Sequence, residues 1–293
     1  MSKRTAGNRR LRLGYALIVF VLTVLALAIC LPFYNAIVIS FETSAAFNRN
    51  PLSLYPAEFT LDNYDYLIHN GGLLNAYKST ILITVLGTVW GMGASVMAAY
   101  TFSRRDMPGR KIFFLLMLFT MFFDGGIVPT YLVMKKYGFI GSYAGVILLI
   151  GVSAFNIIIM KNGFEATPPA LEEAAKVDGA NDIRIFLQVM LPLQAPMLAT
   201  FTLFTAVAYW NEWFWSLLTL TSSGTQTLQL YLRMIINSAS DVTDMSTGMS
   251  TESTFSQGIK MAAVLLTIAP IMLVYPFLQK YFAKGILVGA VKM

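Results

Sequence analysis

Six long apolar segments, separated by visibly polar loops, dominate the pattern of hydrophobic and polar positions in this chain. A helix needs about 20 mostly apolar residues to cross a bilayer, because no water is available there to satisfy its backbone groups. The pattern therefore predicts an all-α integral membrane protein with six transmembrane helices. We place these at residues 14–39, 81–100, 112–134, 142–160, 193–217 and 261–277.

Composition supports this class, since 56% of the residues are hydrophobic and only 12% are charged. That charged fraction is about half of what ordinary soluble domains carry. Several glycines interrupt the spans, and we interpret Gly87, Gly91 and Gly93 as packing residues that let helices approach closely in lipid. The single cysteine, Cys30, lies inside the first span and excludes an intrachain disulfide.

The distribution of lysine and arginine predicts the orientation of the chain. Fifteen of the 21 basic residues fall in the two tails and in the loops on the same side, and six fall in the alternate loops. The positive-inside rule places the richer side in the cytoplasm. We therefore predict cytoplasmic tails at residues 1–13 and 278–293 around a six-span domain at 14–277, with its core at 79–277. The basic residues are not interleaved with aromatics on an amphipathic surface, so no nucleic-acid partner is predicted.

A polar segment at residues 167–192, between the fourth and fifth spans, has strong local signals for a helical hairpin. Pro168-Pro169 favours a helix start, and Gly179 can adopt the positive φ that ends a helix. Asn181 or Asp182 can cap a second helix, which Pro192 ends. The net negative charge of the hairpin is repelled by the anionic lipid of the inner leaflet. We therefore expect the hairpin to bind a partner protein rather than the membrane surface.

Chemical motifs for catalysis or energy coupling are missing from the sequence. It contains no GxxxxGK[ST] phosphate loop, and its one histidine and one cysteine exclude most zinc sites. The apolar cores of the spans are almost free of charge, with Asp124 and Glu212 lying toward span ends. We predict no catalytic residues, no metal and no cofactor on this chain.

The hairpin resembles the EAA signature of permease subunits in bacterial ABC importers, through Glu173-Ala174-Ala175, Asp178-Gly179-Ala180 and Leu191-Pro192. Nearly the whole chain is similar to the six-span carbohydrate permeases of the maltose-importer type. Phe155-Asn156, Trp210-Asn211-Glu212 and the ending YFAKGILVGAVK contribute to this similarity. The stretches GGIVPTYLVMKKYGFI and TLQLYLRMII are similar to a subgroup that handles complex oligosaccharides, including alginate-like acidic ones.

The resemblance implies the type I ABC importer permease fold, with a cytoplasmic coupling helix between spans 4 and 5. It also implies three sets of site residues. The ATPase-docking set is Glu172, Glu173, Ala174, Ala175, Asp178, Gly179 and Ala180. The ATPase-contacting set in the tail is Lys284, Gly285, Gly289 and Lys292. The substrate-pathway set is Trp210, Asn211, Glu212 and Asn156, although an aromatic belt at the membrane interface also explains the tryptophan.

By the same resemblance, the chain is a permease subunit that imports oligosaccharides delivered by an extracytoplasmic sugar-binding protein. It would sit in the lipid of the bacterial inner membrane as half of a heterodimer, on two ATPase subunits that hold ATP and Mg. Two other classes remain open. A stand-alone secondary sugar carrier predicts transport by the purified chain under an ion gradient. A non-transporting scaffold predicts that substitutions at Asn211 and Trp210 leave uptake unchanged.

Overall fold

The computed structural model describes residues 3–69, 72–220, 225–237 and 257–290, and it describes side chains for 14–69, 72–220, 225–237 and 257–273. These residues are almost entirely helical, with one isolated β-bridge between Glu42 and Phe59. We number the helices α1 Lys3–Ser40, α2 Ser44–Arg49, α3 Asp62–His69, α4 Leu73–Ser103, α5 Arg110–Phe122, α6 Ile127–Lys136, α7 Tyr143–Ile150, α8 Ala154–Glu165, α9 Pro169–Val177, α10 Asp182–Leu193, α11 Ala195–Trp210, α12 Phe214–Thr219, α13 Leu228–Asn237 and α14 Gln257–Ala290.

Two helices are long and apolar enough to cross a membrane without a break: the apolar part of α1, Gly14–Ser40, and α4. They correspond to the first two predicted spans. Three bent pairs, α5 with α6, α7 with α8 and α10 with α11, correspond to the next three. The start of α14 is a shorter apolar helix at the sixth predicted span. The helix then continues to Ala290 through the segment that we predicted as a tail.

The third predicted span, 112–134, is divided into two helices that meet at 118°. The break falls at Gly125-Gly126, where Gly126 has a φ of 83° that other residues rarely adopt. The carboxylate of Asp124 accepts the N–H of Gly126 at 3.1 Å and stabilises the turn. With 13 residues, α5 is about 20 Å long, which is shorter than the hydrocarbon core.

The fourth and fifth predicted spans are also interrupted. α7 and α8 meet at 51° across residues 151–153, and Ser153 caps α8 by accepting the N–H of Asn156 at 3.5 Å. The fifth span begins at Ala195, after an 82° bend from α10, and its helix ends at Trp210 rather than at the predicted Leu217. A hydropathy pattern does not detect these breaks, because the residues on both sides of each break are apolar.

The larger of two compact units comprises, among the described residues, 72–220, 225–234 and 269–290, and it is built around α4. This helix contacts α7, α8 and α11. The buried ring of Tyr209 in α11 lies directly over Gly87, and its hydroxyl donates to the backbone oxygen of Ile147 at 2.5 Å. Gly91 lies against the backbone of Gly151, at the break between α7 and α8. The interpretation of Gly87 and Gly91 as packing residues agrees with these contacts, whereas Gly93 faces open space.

Gly91→Ala is expected to destabilise the protein, because the new methyl group would lie 2.2 Å from the carbonyl oxygen of Gly151, a backbone atom that cannot rotate away. Overpacking of this kind costs about 1–3 kcal/mol. Gly93→Ala is the matched control in the same helix, since no atom lies within 4 Å of its added Cβ. Thermal unfolding of the two purified variants in detergent measures the difference, and equal midpoints would contradict the packing role of Gly91.

Among the described residues, the smaller unit comprises 3–69, 235–237 and 257–268. Buried Glu42 is satisfied by the N–H of Ala57 at 3.1 Å and by the hydroxyl of Ser53. The amide of Asn63 donates to the backbone oxygens of Ser40 and Glu42 at 3.0 and 3.1 Å. These contacts order the segment that follows α1. This segment is therefore a folded cap rather than a linker.

Candidate functional site

The polar hairpin forms where the sequence predicts it. α9 begins with Pro169 in its first turn and ends in a Schellman motif. In this motif the N–H of Ala180 donates to the oxygen of Ala175 at 2.9 Å, and the N–H of Gly179 donates to the oxygen of Lys176 at 3.0 Å. Gly179 has a φ of 78°, as the motif requires. Local sequence signals alone therefore determine the reversal of the chain.

The second arm of the hairpin starts at a capped end, since Asn181 Oδ1 accepts the N–H of Arg184 at 2.8 Å. Residues Phe186–Met190 widen into one π-helical turn just before Pro192. Proline has no N–H and its ring clashes with the carbonyl four residues earlier, so a wider turn accommodates it. The helix consequently passes Pro192 and ends at Leu193 instead of stopping at the proline.

The seven predicted docking residues divide between two faces of the hairpin. Glu172, Ala175 and Ala180 are partly buried, and the two alanines pack against the core formed by α4, α8, α10 and α11. The other four, Glu173, Ala174, Asp178 and Gly179, are exposed. We call the exposed residues, together with Val177 and Ile183, the outer face of the hairpin.

Two large apolar side chains that are not in the predicted docking set, Val177 and Ile183, are also exposed on the hairpin. Val177 is 88% exposed and Ile183 is 69% exposed. Val177 follows Glu173 and Ala174 at the i+4 and i+3 positions that share one side of a helix. That spacing was available in the sequence and could have identified Val177.

Arg104, just after α4, joins the membrane-spanning core to both arms of the hairpin. Its guanidinium forms an ion pair with Glu172 of α9 and lies 3.5 Å from the carboxylate of Asp182 at the start of α10. The side chains of Arg104 and Glu172 are only 16% and 23% exposed. The guanidinium also lies 5.3 Å from the centre of the Tyr100 ring, which packs on Phe186 of α10. We call this arrangement the Arg104 clamp.

A second ionic cluster supports the entry to the hairpin. Arg110 at the start of α5 pairs with Glu165 at the end of α8 and donates to the backbone oxygen of Phe102 at 2.7 Å. Lys161 pairs with the same carboxylate at 2.7 Å. From the sequence, these basic residues served only as indicators of orientation. The acidic partners of Arg104 and Arg110 lie far away along the chain, whereas Glu165 is four residues from Lys161, a spacing that is visible in the sequence.

The predicted substrate-pathway residues lie on more than one element and make different contacts. Glu212 is turned toward the protein, where its carboxylate accepts the N–H of Trp215 and caps α12. The indole N–H of Trp210 is buried without a hydrogen-bond partner among the described residues. Asn211 donates to the oxygen of Val207 at 3.0 Å and accepts from Gln229 at 3.3 Å. Asn156 lies on another element, in the first turn of α8.

The predicted ATPase-contacting tail is only partly described. Lys284, Gly285 and Gly289 belong to the backbone of α14, and their side chains lie outside the described residues. Lys292 lies outside the described residues altogether.

Bent spans around a long central helix, with a polar hairpin held at one end, define the transmembrane permease subunit of an ABC importer. The chain belongs to the family of binding-protein-dependent transport system inner membrane components, whose family profile matches residues 91–288. A solved chain from a bacterial ABC transporter involved in the import of the acidic polysaccharide alginate superposes with a TM-score of 0.83. It is 32% identical, and the match covers 92% of this chain and 97% of that one.

Curated relatives extend the same similarity. The polygalacturonan/rhamnogalacturonan transport system permease protein YtcP of Bacillus subtilis (strain 168) is 42% identical over 96% of this chain and 99% of its own. The arabinooligosaccharides transport system permease protein AraQ of Halalkalibacterium halodurans is 29% identical over 96% and 95%. These matches confirm the predicted fold class, the inner-membrane location and the prediction of a transport subunit rather than an enzyme.

Proposed function

We propose that this chain is one half of a transmembrane heterodimer that imports uronate-rich oligosaccharides delivered by an extracytoplasmic binding protein. Two similarities support this substrate class: a relative named for polygalacturonan and rhamnogalacturonan, and a solved structure titled for alginate. All three of these polysaccharides contain uronate residues, which carry a carboxylate. The proposal narrows the predicted oligosaccharide substrate to acidic ones.

The exposed residues on the outer face of the hairpin are the main support for the proposed mechanism. The hairpin exposes the apolar side chains of Val177 and Ile183 together with the acidic side chains of Glu173 and Asp178. An exposed apolar surface with a polar rim is typical of a protein interface. We infer that a cleft of an ATPase subunit covers it, and that the two ATPase subunits hold the ATP and Mg that this chain has no motif to bind.

This inference requires the hairpin and both termini to be in the cytoplasm. The excess of lysine and arginine on that side supports the orientation. In this arrangement Lys284, Gly285, Gly289 and Lys292 would lie near the ATPase dimer as well. Labelling of single cysteines in intact cells, at position 174 and at a position in 50–60, would give opposite accessibility if the orientation is correct.

The Arg104 clamp would transmit movement of the hairpin to the helices of the transport pathway. It connects α9 and α10 to the end of α4, and α4 contacts α7, α8 and α11. ATP-driven closure of the ATPase subunits would displace the hairpin, and these packed helices would move with it. Because a well-packed core does not deform continuously, such a displacement selects between two discrete arrangements, one open to each side.

Glu173→Lys is expected to abolish ATP-driven uptake while the subunit still inserts into the membrane. The side chain is exposed, so the substitution leaves the core of this chain intact but reverses a charge at the inferred interface. Uptake and stimulated ATP hydrolysis in reconstituted vesicles are the measurements, and Glu173→Gln is the milder comparison. Wild-type rates in the lysine variant would contradict the docking role.

Reconstitution also separates the two other classes. A secondary carrier would move sugar into vesicles that contain only the purified chain and an ion gradient. A scaffold would tolerate substitution of Asn211 and Trp210 without any change in uptake. The near absence of charge in the apolar spans disfavours the carrier, since coupling ions in such proteins use ionisable groups at membrane depth.

A further inference from the structure

Four side chains with carbohydrate-binding chemistry meet at the end of α11 that is remote from the hairpin. Arg233 of α13 lies over the ring of Trp213, with its guanidinium carbon 3.7 Å from the ring centre. Gln229, one helical turn earlier on α13, donates to Asn211 at 3.3 Å. α11 has 16 residues and separates this cluster from the hairpin by about 24 Å. We call the four residues the Arg233 cluster.

The cluster is held on a rigid support. The hydroxyl of Thr227 donates to the backbone oxygen of Glu212 at 3.0 Å, and the N–H of Leu228 donates to the hydroxyl of Thr80 in α4 at 2.7 Å. Thr227, Leu228 and Thr80 are all buried. Both halves of the cluster, the turn after α11 and the start of α13, are therefore fixed to each other before any ligand binds. Such preorganisation lowers the entropic cost of binding.

Arg233 takes part in none of the ion pairs found among the described residues, and its side chain is exposed. The nearest acidic residue along the turn, Glu212, uses its carboxylate to cap α12 instead. A guanidinium stacked on an aromatic ring keeps its edge N–H groups free, and those groups match a carboxylate bidentately. The amides of Asn211 and Gln229 add hydrogen-bonding groups suited to sugar hydroxyls.

We propose that the Arg233 cluster is a subsite that binds the carboxylate of a uronate residue in the oligosaccharide. Arg233 pairs with the carboxylate, Trp213 holds the guanidinium plane, and Asn211 and Gln229 contact the neighbouring hydroxyls. The assignment rests on the proposed function, and it gives a chemical reason for a preference for acidic sugars. A lipid phosphate offers similar chemistry, so the test below separates the two.

The experiment uses the complete importer reconstituted in vesicles, with a galacturonate tetrasaccharide and its carboxyl-reduced, neutral counterpart as probes. Arg233→Gln should lower uptake of the acidic probe about tenfold, the effect of losing one hydrogen bond to a charged group. The loss for the neutral probe should be clearly smaller. Arg233→Lys should restore part of the acidic uptake, because it keeps the charge but not the bidentate geometry. Lys136→Gln, which removes another exposed positive charge, is the matched control.

Each outcome has a defined meaning. If the wild-type importer takes up neither probe while ATP is hydrolysed, the proposed substrate class is wrong, and the proposed subsite is then wrong as well. If the acidic probe is imported but Arg233→Gln behaves like Lys136→Gln, or impairs both probes equally, the subsite is wrong and the substrate class stands. A defect that disappears when anionic lipid is omitted from the vesicles would assign Arg233 to a lipid headgroup and overturn the subsite.

Discussion

Val177→Glu is expected to abolish ATP-driven uptake by the assembled importer, with at least a hundredfold weaker association between this subunit and the ATPase. Val177 is 88% exposed in the isolated chain, so its replacement leaves the packing of this subunit unchanged. If an ATPase cleft covers the side chain, the glutamate places an unpaired charge in a desolvated interface. Such a charge costs about 3 kcal/mol or more, or roughly a hundredfold in a binding constant.

Co-purification of the ATPase subunits with the variant, together with uptake in vesicles, measures this effect. Ala166→Glu is the matched control, because it introduces the same charge at an exposed position just before α9. The control should retain assembly and most of the uptake. Normal assembly of the Val177 variant would show that the outer face of the hairpin is not the docking surface.

Arg104→Ala is expected to give the second large effect, a loss of coupling together with a loss of stability. The substitution leaves Glu172 mostly buried without its ionic partner and releases α9 and α10 from the end of α4. Breaking a largely buried pair by removing one partner costs about 3 kcal/mol. The contact with Asp182 adds little, because that carboxylate is 77% exposed.

Coupling is measured as sugar imported per ATP hydrolysed, a ratio that a simple loss of folded protein does not change. Arg105→Ala removes the adjacent, exposed arginine and is the matched control. The exchange Arg104→Glu with Glu172→Arg should recover part of the ratio, since it restores an ion pair in the same place. A normal ratio in Arg104→Ala would mean that the clamp only stabilises the hairpin and does not transmit its movement.

The hairpin was predictable because its signals are local. Proline in the first turn, glycine at the positive φ and asparagine at the cap each act on neighbouring backbone groups, and the structure has all three in those roles. Which residues face outward was not predictable with the same certainty. Glu172 and Glu173 are adjacent and chemically identical, yet one pairs with Arg104 and the other is exposed.

The breaks in the spans and the two arginine sites were beyond the reach of the sequence reasoning. Hydropathy averages apolarity over a window, and the windows at 112–134 and 193–217 are apolar on average although Asp124-Gly125-Gly126 and Asn211-Glu212 lie at their breaks. Arg104 and Glu172 are 68 positions apart, and Arg233 meets Trp213 across a further loop. The aromatic support of Arg233 is visible only in three dimensions.

The amino-acid sequence by itself determined six hydrophobic segments, an acidic helical hairpin on the side rich in lysine and arginine, and membership in a transport family. The segments and the hairpin are predictable because transfer free energy and turn chemistry act over short stretches. Tertiary structure alone decided which carboxylate is mostly buried, where the spans bend, and how an aromatic ring supports the exposed guanidinium of Arg233. Those outcomes depend on helices that meet in space, and the energies of packing and ion pairing are set by distance in the fold rather than by distance along the chain.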